Sequence, residues 1–260
     1  MEGWLGLAGR VTAVTGGTRG LGAAVVRCLV AKNGAVALCA RDQEELRVSI
    51  EAFGGEGGHL LGRALDVTDH DGLAAFVRDA ATKFGGLHGL VANVGGARGR
   101  GLLESTTDDW LATYDVNVGH AVTAVRAAVP LMAASGGGSI VLVSSISGAK
   151  PAPQAQYGVA KAALNHLAAC LARELAPERI RVNAVSPGSM LIPGKRWHRM
   201  MTEDPEEYAR FAAEFPGGQL VDPDNVAEVI AFLLSDRSRA INGANIPVDA
   251  GQNAPSPDGY

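Results

Sequence analysis

Short apolar runs alternate with longer segments of helical periodicity along most of the chain. The runs are continuously apolar, which is typical of strands buried on both faces of a parallel sheet. The pattern predicts strands at 10–15, 36–40, 60–66, 87–93, 139–145, 179–186 and 244–248. It predicts helices at about 20–33, from Asp42 onward, and at 70–84, 107–134, 154–177 and 223–235. Because parallel strands need crossover connections, the pattern predicts an α/β, doubly wound fold with a seven-stranded parallel sheet and helices on both faces.

The segment 189–218 interrupts this alternation. It contains three prolines, two adjacent methionines and a cluster of charges where the next strand–helix unit should begin. Long insertions in compact domains usually have a function, so we expect a mobile substrate lid that excludes water from the crevice. Its apolar surface would come from Trp197, Met200, Met201, Phe211 and Phe215. The alternative is an amphipathic helix at a subunit interface, because residues 203–215 have helical spacing with Pro205 near their start.

The composition favours a single globular domain spanning 1–260. Of the 260 residues 47% are hydrophobic, and the net charge is −4 with both signs scattered along the chain. There is no basic stripe, so we expect no nucleic-acid partner. No apolar run approaches the roughly 18–20 residues of a membrane span, and signal-peptide features are missing, so we expect a cytoplasmic protein with no membrane partner. The tail after Gly251 is expected to be extended or disordered at its end.

The cysteines and histidines show no metal-binding pattern. Cys28, Cys39 and Cys170 are far apart in apolar surroundings, and we expect each to be a reduced core residue. The six histidines are scattered without the spacing of metal ligands. We therefore expect no metal ion in this protein.

A glycine-rich turn follows the first predicted strand. Residues 15–22 read TGGTRGLG and lead directly into a helix. Glycines in this arrangement permit a tight turn and a close approach of the backbone to a diphosphate, whose charge the helix N-terminus stabilises. A mere flexible loop is the alternative, but the strand before the turn and the helix after it favour a dinucleotide site. The candidate cofactor-binding residues here are Gly16, Thr18, Arg19, Gly20, Leu21 and Gly22.

The end of the second strand indicates which dinucleotide is bound. An NAD enzyme places an acidic residue there to bind the ribose 2′-hydroxyl, whereas this chain has Arg41. Asp42 follows, but together with Glu45 it is predicted to form a capping box for the next helix, which accounts for its carboxylate. Arg41 and Arg19 can bind a 2′-phosphate through charge-assisted hydrogen bonds, unless they are ordinary surface charges. We therefore expect NADP(H), with NAD(H) as the less favoured cofactor.

Three side chains have the pattern of a hydride-transfer site. Tyr157 and Lys161 are i and i+4 neighbours in a predicted helix, and Ser145 ends the fifth strand. Ligands bind at the carboxyl ends of strands in doubly wound sheets, so all three should face the same crevice as the glycine turn. Tyr157 can protonate the developing alkoxide, Lys161 can lower the tyrosine pKa, and Ser145 can donate a hydrogen bond to the substrate oxygen. The alternative is that Tyr157 is a packed core tyrosine.

Together these motifs resemble those of the short-chain dehydrogenase/reductase family, whose glycine motif is TGxxxGxG. The resemblance covers nearly the whole chain and implies a Rossmann fold. It also implies a catalytic tetrad in which a fourth residue kinks its helix and holds a proton-relaying water, while the lysine also bonds the nicotinamide ribose. The tetrad residues are Asn117, Ser145, Tyr157 and Lys161.

The resemblance implies further cofactor contacts outside the glycine turn. Asp66 stands where the family's aspartate binds the adenine amino group, and the Pro187–Gly188 pair stands where the backbone meets the nicotinamide carboxamide. The implied contacts are Asp66, Val67, Asn93, Gly95, Pro187, Gly188 and Met190, besides Tyr157 and Lys161. The chain departs from the family pattern at Val94, Ile192 and Ala250.

The implied activity is oxidoreduction of CH–OH and C=O groups, on a small-molecule carbonyl or alcohol substrate. Within the family, the chain resembles the NADP-preferring type that includes 3-oxoacyl carrier-protein reductases. This resemblance implies a 3-oxoacyl thioester or another ketone as substrate. A sugar, steroid or small-alcohol dehydrogenase is the alternative, because the fold and tetrad are common to all of these. A non-catalytic NADP(H)-binding regulatory module is a further alternative, although such proteins normally lose the tyrosine or the lysine.

The resemblance also implies a homotetramer, built through the helices at 107–134 and 154–177 and the final strand. Basic residues follow the fourth strand and recur in the 189–218 segment. They could attract an anionic or carrier-bound substrate, or they could be solvated loop charges. These residues are Arg98, Arg100, Lys195, Arg196 and Arg199.

Overall fold

Seven parallel strands form one sheet in the computed structural model, which describes residues 3–54, 58–151 and 153–254. The strands are β1 (Val11–Thr15), β2 (Ala35–Ala40), β3 (Leu60–Ala64), β4 (Gly89–Ala92), β5 (Gly138–Val143), β6 (Ile180–Pro187) and β7 (Asn245–Val248). Their order in the sheet is β3-β2-β1-β4-β5-β6-β7, and every neighbouring pair is parallel. The predicted doubly wound fold with a seven-stranded parallel sheet is therefore confirmed, and strand ends differ from the predicted ones by two residues at most.

Helices connect the strands and cover the sheet. The first six are α1 (Gly20–Ala31), α2 (Gln43–Ala52), α3 (His70–Phe84), α4 (Thr107–Tyr114), α5 (His120–Ala134) and α6 (Ala155–Glu174). They are followed by α7 (Arg196–Glu203), α8 (Pro205–Ala212) and α9 (Pro223–Leu234). All the predicted helices are present. A π-helical turn, Asp115–Gly119, joins α4 and α5 into one helical segment.

Two hydrophobic cores lie on opposite faces of the sheet. Side chains of β1 alternate between them, with Val11 and Ala13 in one core and Val14 in the other. The first core is filled from α3, α5 and α6, as by Phe76, and the second from α1 and α9, as by Ile230. Burial on both faces explains why the strands are continuously apolar.

The helical segment Thr107–Ala134 is long and apolar enough, by length and composition, to cross a membrane. It has 28 residues, and an 18-residue window within it has a mean hydropathy of 1.2. The expectation that no apolar segment approaches that length is therefore wrong. Within the fold, α5 buries Ala121, Ala124, Val125 and Met132 in the first core, so packing accounts for its apolar composition.

The segment 189–218 contains two short helices, α7 and α8. Pro205 is the first residue of α8, as its helical spacing predicts. The charged α7 was not predicted; it is held by packing, since the Trp197 ring stacks on Phe211 with centroids 3.7 Å apart. Phe215 is only 2% exposed and belongs to the second core, so the expectation that it forms part of a lid surface is wrong.

Two other expectations concern the cysteines and the C-terminal tail. Cys39 is buried and Cys28 is half-buried, but Cys170 is exposed on α6, so the expectation of a core residue is wrong there. Its neighbours in sequence are apolar because other positions of α6, such as Leu164 and Ala168, face the core. Residues 255–260 of the tail lie outside the described residues.

Candidate active site

The glycine turn lies where the strand order reverses, between the carboxyl ends of β1 and β4. Gly16 has φ +69°, which side chains rarely adopt, and a Cβ on Gly22 would lie 2.0 Å from the Gly16 carbonyl oxygen. Asn93, just after β4, donates its Nδ2 to the carbonyl oxygens of Thr15 and Gly16, at 3.0 and 3.3 Å. The turn is therefore fixed from both sides before α1 begins at Gly20.

A cavity of about 460 Å³ lies beside the turn, at the ends of β2 and β3. Asp66 accepts hydrogen bonds there from the backbone N–H and the hydroxyl of Thr68, at 3.0 and 2.8 Å. These bonds and, less strongly, the charge of Arg41 lower the pKa of Asp66. An Nη1 atom of Arg41 lies 4.0 Å from the Asp66 carboxylate. The predicted cofactor residues on this wall are Gly16, Thr18, Arg19, Arg41, Asp66, Val67, Asn93 and Gly95.

Glu45 does not complete the predicted capping box. Asp42 accepts a hydrogen bond from the Glu45 backbone N–H at 2.8 Å, as expected. The Glu45 carboxylate, however, accepts hydrogen bonds from the Thr18 hydroxyl and the Arg19 guanidinium, with which it forms an ion pair. A hydrogen bond from a cation to a carboxylate is stronger than one from a neutral backbone N–H. The Glu45 carboxylate therefore pairs with Arg19 instead of closing the capping box on its own helix. Arg19 is consequently already paired, whereas the only carboxylate within reach of Arg41 among the described residues is that of Asp66, at 4.0 Å.

A second cavity, of about 310 Å³, adjoins the first at the ends of β5 and β6. Tyr157 and Lys161 lie one turn apart on α6, with the lysine Nζ 5.5 Å from the centroid of the tyrosine ring. Lys161 is buried, and its Nζ donates to the Val143 carbonyl oxygen at 2.8 Å. The predicted residues on this wall are Arg19, Gly20, Leu21, Gly22, Asn93, Gly95, Ser145, Tyr157, Lys161, Pro187, Gly188 and Met190.

Asn117 lies in the π-helical turn between α4 and α5 and is fully buried. Its Nδ2 donates to the Thr113 carbonyl oxygen at 2.7 Å and to the Gly96 carbonyl oxygen at 2.6 Å. A Cβ on Gly95 would lie 2.6 Å from Asn117 Oδ1 and 2.7 Å from Lys161 Nζ, so these groups pack closely around Gly95. Asn117 thus ties the loop after β4 to the end of the crevice where Lys161 lies. The proton-relaying water implied for it stays a prediction.

Comparison with known proteins identifies this arrangement. Residues 16–253 match the family model described as enoyl-(acyl carrier protein) reductase. The chain belongs to the short-chain dehydrogenase/reductase family. It is 34% identical over 246 residues to 4-formylbenzenesulfonate dehydrogenase of Comamonas testosteroni, covering 94% of this chain and 98% of that protein. It is 37% identical over 248 residues to cis-4-hydroxycyclohexanecarboxylate dehydrogenase of Sinomonas cyclohexanicum, covering 94% and 97% of the two chains.

Solved structures of the family share the fold. A short-chain type dehydrogenase/reductase from Mycobacterium ulcerans superposes with a TM-score of 0.87 at 31% identity, covering 95% of this chain and 90% of that chain. An oxidoreductase of the same family from Burkholderia thailandensis gives a TM-score of 0.85 at 33% identity, covering 94% and 93%. As in its family, this chain is an oxidoreductase of alcohols and carbonyl compounds.

Burial shifts the pKa of both members of the tyrosine–lysine pair of this dehydrogenase/reductase. It lowers the pKa of Lys161 to about 7. It raises the pKa of Tyr157, and the nearby Ser145 hydroxyl offsets this only in part. The expectation that Lys161 lowers the tyrosine pKa is therefore not met in the protein by itself. The physical reason is that the lysine is itself desolvated and carries its full positive charge only below neutral pH.

We expect Lys161→Met to stabilise the fold most strongly at low pH. The pKa of Lys161 is about 7 in the folded protein, against the ordinary lysine value of 10.5. Between pH 7 and 10.5 the lysine is therefore protonated in the unfolded chain but mostly neutral in the folded protein. Stability of the wild type should therefore rise with pH across this window, and the buried lysine should cost most below it. Melting temperatures measured from pH 6 to 9 should show the largest gain for Lys161→Met at about pH 6. The exposed Lys83→Met on α3 is the control, and a gain for Lys161→Met that did not vary with pH would contradict the assignment.

Two buried polar side chains near the site were missed from the sequence. His120 is completely buried, its Nε2 lies 3.5 Å from Thr15 Oγ1, and burial lowers its pKa to about 3, so it is neutral. Gln156 is 2% exposed and donates its Nε2 to the Arg98 carbonyl oxygen at 2.7 Å, which anchors the loop after β4. Nothing in the sequence distinguishes either from a surface residue. In the described part of the chain, no group of three His, Cys, Asp or Glu residues could hold a metal ion.

The 189–218 segment contributes to the crevice through its first residues. Met190, Ile192 and Lys195 line the second cavity, which also contains Tyr157 and Lys161. The aromatic residues expected to cover the substrate lie deeper, since Trp197 and Phe211 pack against the second core. The part of this segment closest to the reacting groups is therefore the stretch before α7.

Proposed function

We propose that this chain is an NADP(H)-dependent oxidoreductase that transfers hydride between nicotinamide and a ketone or secondary alcohol. The observation that carries the proposal is that Ser145, Tyr157 and Lys161 line one cavity together with the glycine turn and Gly188. A non-catalytic dinucleotide-binding module would not need these three groups at the place where a nicotinamide ring would lie.

The crevice fits a dinucleotide along its whole length. A Cβ on Gly22 would collide with the Gly16 carbonyl oxygen, so glycine lets the turn pack closely against α1, beside whose N-terminus the diphosphate would lie. The cavity beside Asp66 would hold the adenosine, and the cavity beside Tyr157 would hold the nicotinamide ribose and ring. When bound, the nicotinamide supplies or accepts the hydride.

The residues of the chain would transfer the proton to the substrate oxygen and stabilise the negative charge that develops on it. Tyr157 donates its hydroxyl proton to the oxygen in reduction and accepts it back in oxidation. Ser145 donates a hydrogen bond to the same oxygen, where negative charge develops. Lys161 would hydrogen-bond the nicotinamide ribose, and its ammonium would return a proton to the tyrosinate and be reprotonated from solvent. Asn117 holds the loop that packs on Lys161. Burial raises the pKa of Tyr157 and keeps its hydroxyl protonated, which suits reduction.

Arg41 supports NADP(H) over NAD(H). It lines the adenosine cavity, is largely exposed, and lies next to β2, where a 2′-phosphate would project. Its only ion pair among the described residues is the 4.0 Å contact with Asp66. A guanidinium with this freedom can bind a phosphate in bidentate fashion. Arg19 would join it only by weakening its ion pair with Glu45.

Two substrate classes are proposed. The description of the matched family model names an acyl carrier protein, which favours a carrier-bound acyl substrate, here proposed as a 3-oxoacyl thioester. The names of the similar dehydrogenases favour a ring alcohol or carbonyl compound that carries a carboxylate or sulfonate.

Turnover assays test the function and separate the two classes. Oxidation of NADPH would be followed with acetoacetyl thioesters, with 4-oxocyclohexanecarboxylate, and with cyclohexanone as the uncharged control. Reduction of the thioester alone supports the first class, and preference for the charged ring over cyclohexanone supports the second. If no ketone were reduced and none of the matching alcohols were oxidised while NADPH still bound, the catalytic proposal would be wrong.

We propose that the 189–218 segment acts as a lid whose C-terminal end is fixed. Phe215 is buried in the second core and would remain there as the anchor, so the moving part is 190–212. Within this part, Gly194 has φ +70° and no neighbour within 4 Å of a Cβ position. Such a residue can absorb backbone rotation when the segment closes.

Hydrogen exchange tests the lid. We expect fast amide exchange over 190–212 in the free enzyme, which slows when NADP(H) and a substrate analogue bind, because closure orders the backbone. The buried helix α5 serves as the internal reference. Strong protection of 190–212 in the free enzyme would show that the segment is a fixed part of the structure.

We also propose that the chain forms a homotetramer through α4, α5, α6 and β7. Exposed apolar side chains on these helices support association, with Leu111 and Tyr114 on α4 and Val159 on α6 at 63%, 50% and 56% exposure. Light scattering after size exclusion measures the mass directly. A monomer at micromolar concentration would contradict this proposal.

A further inference from the structure

Two cavities that together make the cofactor crevice meet at a narrow junction. The first cavity has Arg41 and Asp66 at its far end, and the second has Ser145 and Tyr157 at its far end. Few residues line both, and these mark the junction. They are Arg19, Asn93, Gly95 and Lys195.

The diphosphate of a dinucleotide must pass through this junction. It joins the adenosine to the nicotinamide riboside, so with one nucleoside in each cavity its negative charges fall between them. Two of the junction residues, Arg19 and Lys195, are cations. This step rests on the proposed function, which places a dinucleotide in the crevice.

Of the two cations, Lys195 is the one available to a ligand. The guanidinium of Arg19 is paired with Glu45, which also accepts a hydrogen bond from Thr18. Lys195 is exposed, and among residues 3–54, 58–151 and 153–254 no carboxylate lies within 4.0 Å of its ammonium. A phosphate at the junction could therefore bind Lys195 without breaking an existing ion pair.

The backbone before α7 fixes Lys195 at this place. Ile192 packs on the glycine turn so closely that a Cβ on Gly20 would lie 3.0 Å from its Cδ1. The Lys195 backbone N–H donates to the Ile192 carbonyl oxygen at 3.0 Å, which forms a tight turn directly above the start of α1. The lysine therefore lies beside the glycine turn, where the two cavities meet.

We propose that Lys195 binds the diphosphate of the cofactor and that residues 190–195 clamp the dinucleotide against the glycine turn. The lysine supplies a mobile positive charge on the solvent side, while the glycine turn supplies backbone N–H donors on the protein side. The 189–218 segment would then begin to close when the cofactor binds and would complete its closure when the substrate binds.

Binding of three nucleotide probes to Lys195→Met tests this assignment. NADPH carries a diphosphate and a 2′-phosphate, ADP-ribose carries the diphosphate alone, and 2′-AMP carries the 2′-phosphate alone. We expect the Kd of NADPH and of ADP-ribose to rise about tenfold or more, the usual size of a lost hydrogen bond to a charged group. The Kd of 2′-AMP should stay within about twofold, and Lys195→Arg should restore most of the affinity.

Arg196→Met is the matched control, because the neighbouring arginine carries the same charge but lines neither cavity. An equal loss in Arg196→Met and Lys195→Met would overturn the proposal in favour of a general charge effect. A loss for 2′-AMP with none for ADP-ribose would overturn it in favour of 2′-phosphate binding. If the wild type bound NADPH and ADP-ribose and Lys195→Met bound them equally well, only the assignment of Lys195 would fall. If the wild type bound none of the probes and no NADH, the proposed function itself would fall.

Discussion

Replacing Tyr157 by phenylalanine is expected to lower turnover at least about a hundredfold, the usual effect of losing a general acid or base. The substitution removes only the hydroxyl that lines the catalytic cavity, so the ring still packs beside Lys161. The Kd of NADPH should therefore change little. Steady-state absorbance of NADPH gives turnover, and nicotinamide fluorescence gives the Kd for the same preparation.

Tyr114→Phe is the matched control, since Tyr114 lies half exposed on α4 and loses the same hydroxyl. It should turn over at the wild-type rate. Retained activity in Tyr157→Phe would rule out the proposed proton donor. Parallel losses of turnover and NADPH affinity would instead assign Tyr157 to cofactor binding.

Arg41→Asp is expected to weaken NADPH binding about a hundredfold and to reverse the preference toward NADH. It removes a partner worth roughly 1.5–3 kcal/mol to a charged group and adds repulsion between a carboxylate and the 2′-phosphate. The new carboxylate can accept a hydrogen bond from the ribose 2′-hydroxyl of NADH. The ratio of kcat/KM with NADPH to kcat/KM with NADH measures the change in preference, because both cofactors bind to the same site.

Arg78→Asp controls for the change in net charge, since Arg78 is exposed on α3 and lines neither cavity. It should leave the cofactor ratio unaltered. If Arg41→Asp also left the ratio unaltered, the 2′-phosphate would be bound elsewhere. Arg19 would then be the candidate, freed from Glu45 when the cofactor binds.

Much of the site could be predicted because its parts are local in sequence. The tight conformation at Gly16 and the i, i+4 relation of Tyr157 and Lys161 depend only on near neighbours in the chain. The parallel topology then follows from the strand–helix alternation, and it brings the ends of β1, β4, β5 and β6 to one edge. Every cofactor residue predicted from the motifs lines one of the two cavities for this reason.

Properties that depend on long-range neighbours could not be predicted in the same way. Glu45 has the spacing of a capping box, yet its carboxylate binds Arg19 because the glycine turn folds against α2. Phe215 has the pattern of an amphipathic helix, but whether that face meets substrate or core depends on the packing of α8. The exposure of Cys170 could not be predicted for the same reason, because the packing of α6 places this residue on the solvent side of the helix.

The sequence by itself determined the fold class, the glycine turn, and the position of Tyr157, Lys161 and Ser145 along one crevice, because periodicity and spacing fix which residues share a face or a turn. The tertiary structure alone decided the protonation of Lys161, the pairing of Arg19 and the position of Lys195 at the junction of the cavities. Burial and electrostatic pairing arise from groups that are distant in the chain and close in space, and no local pattern encodes those distances.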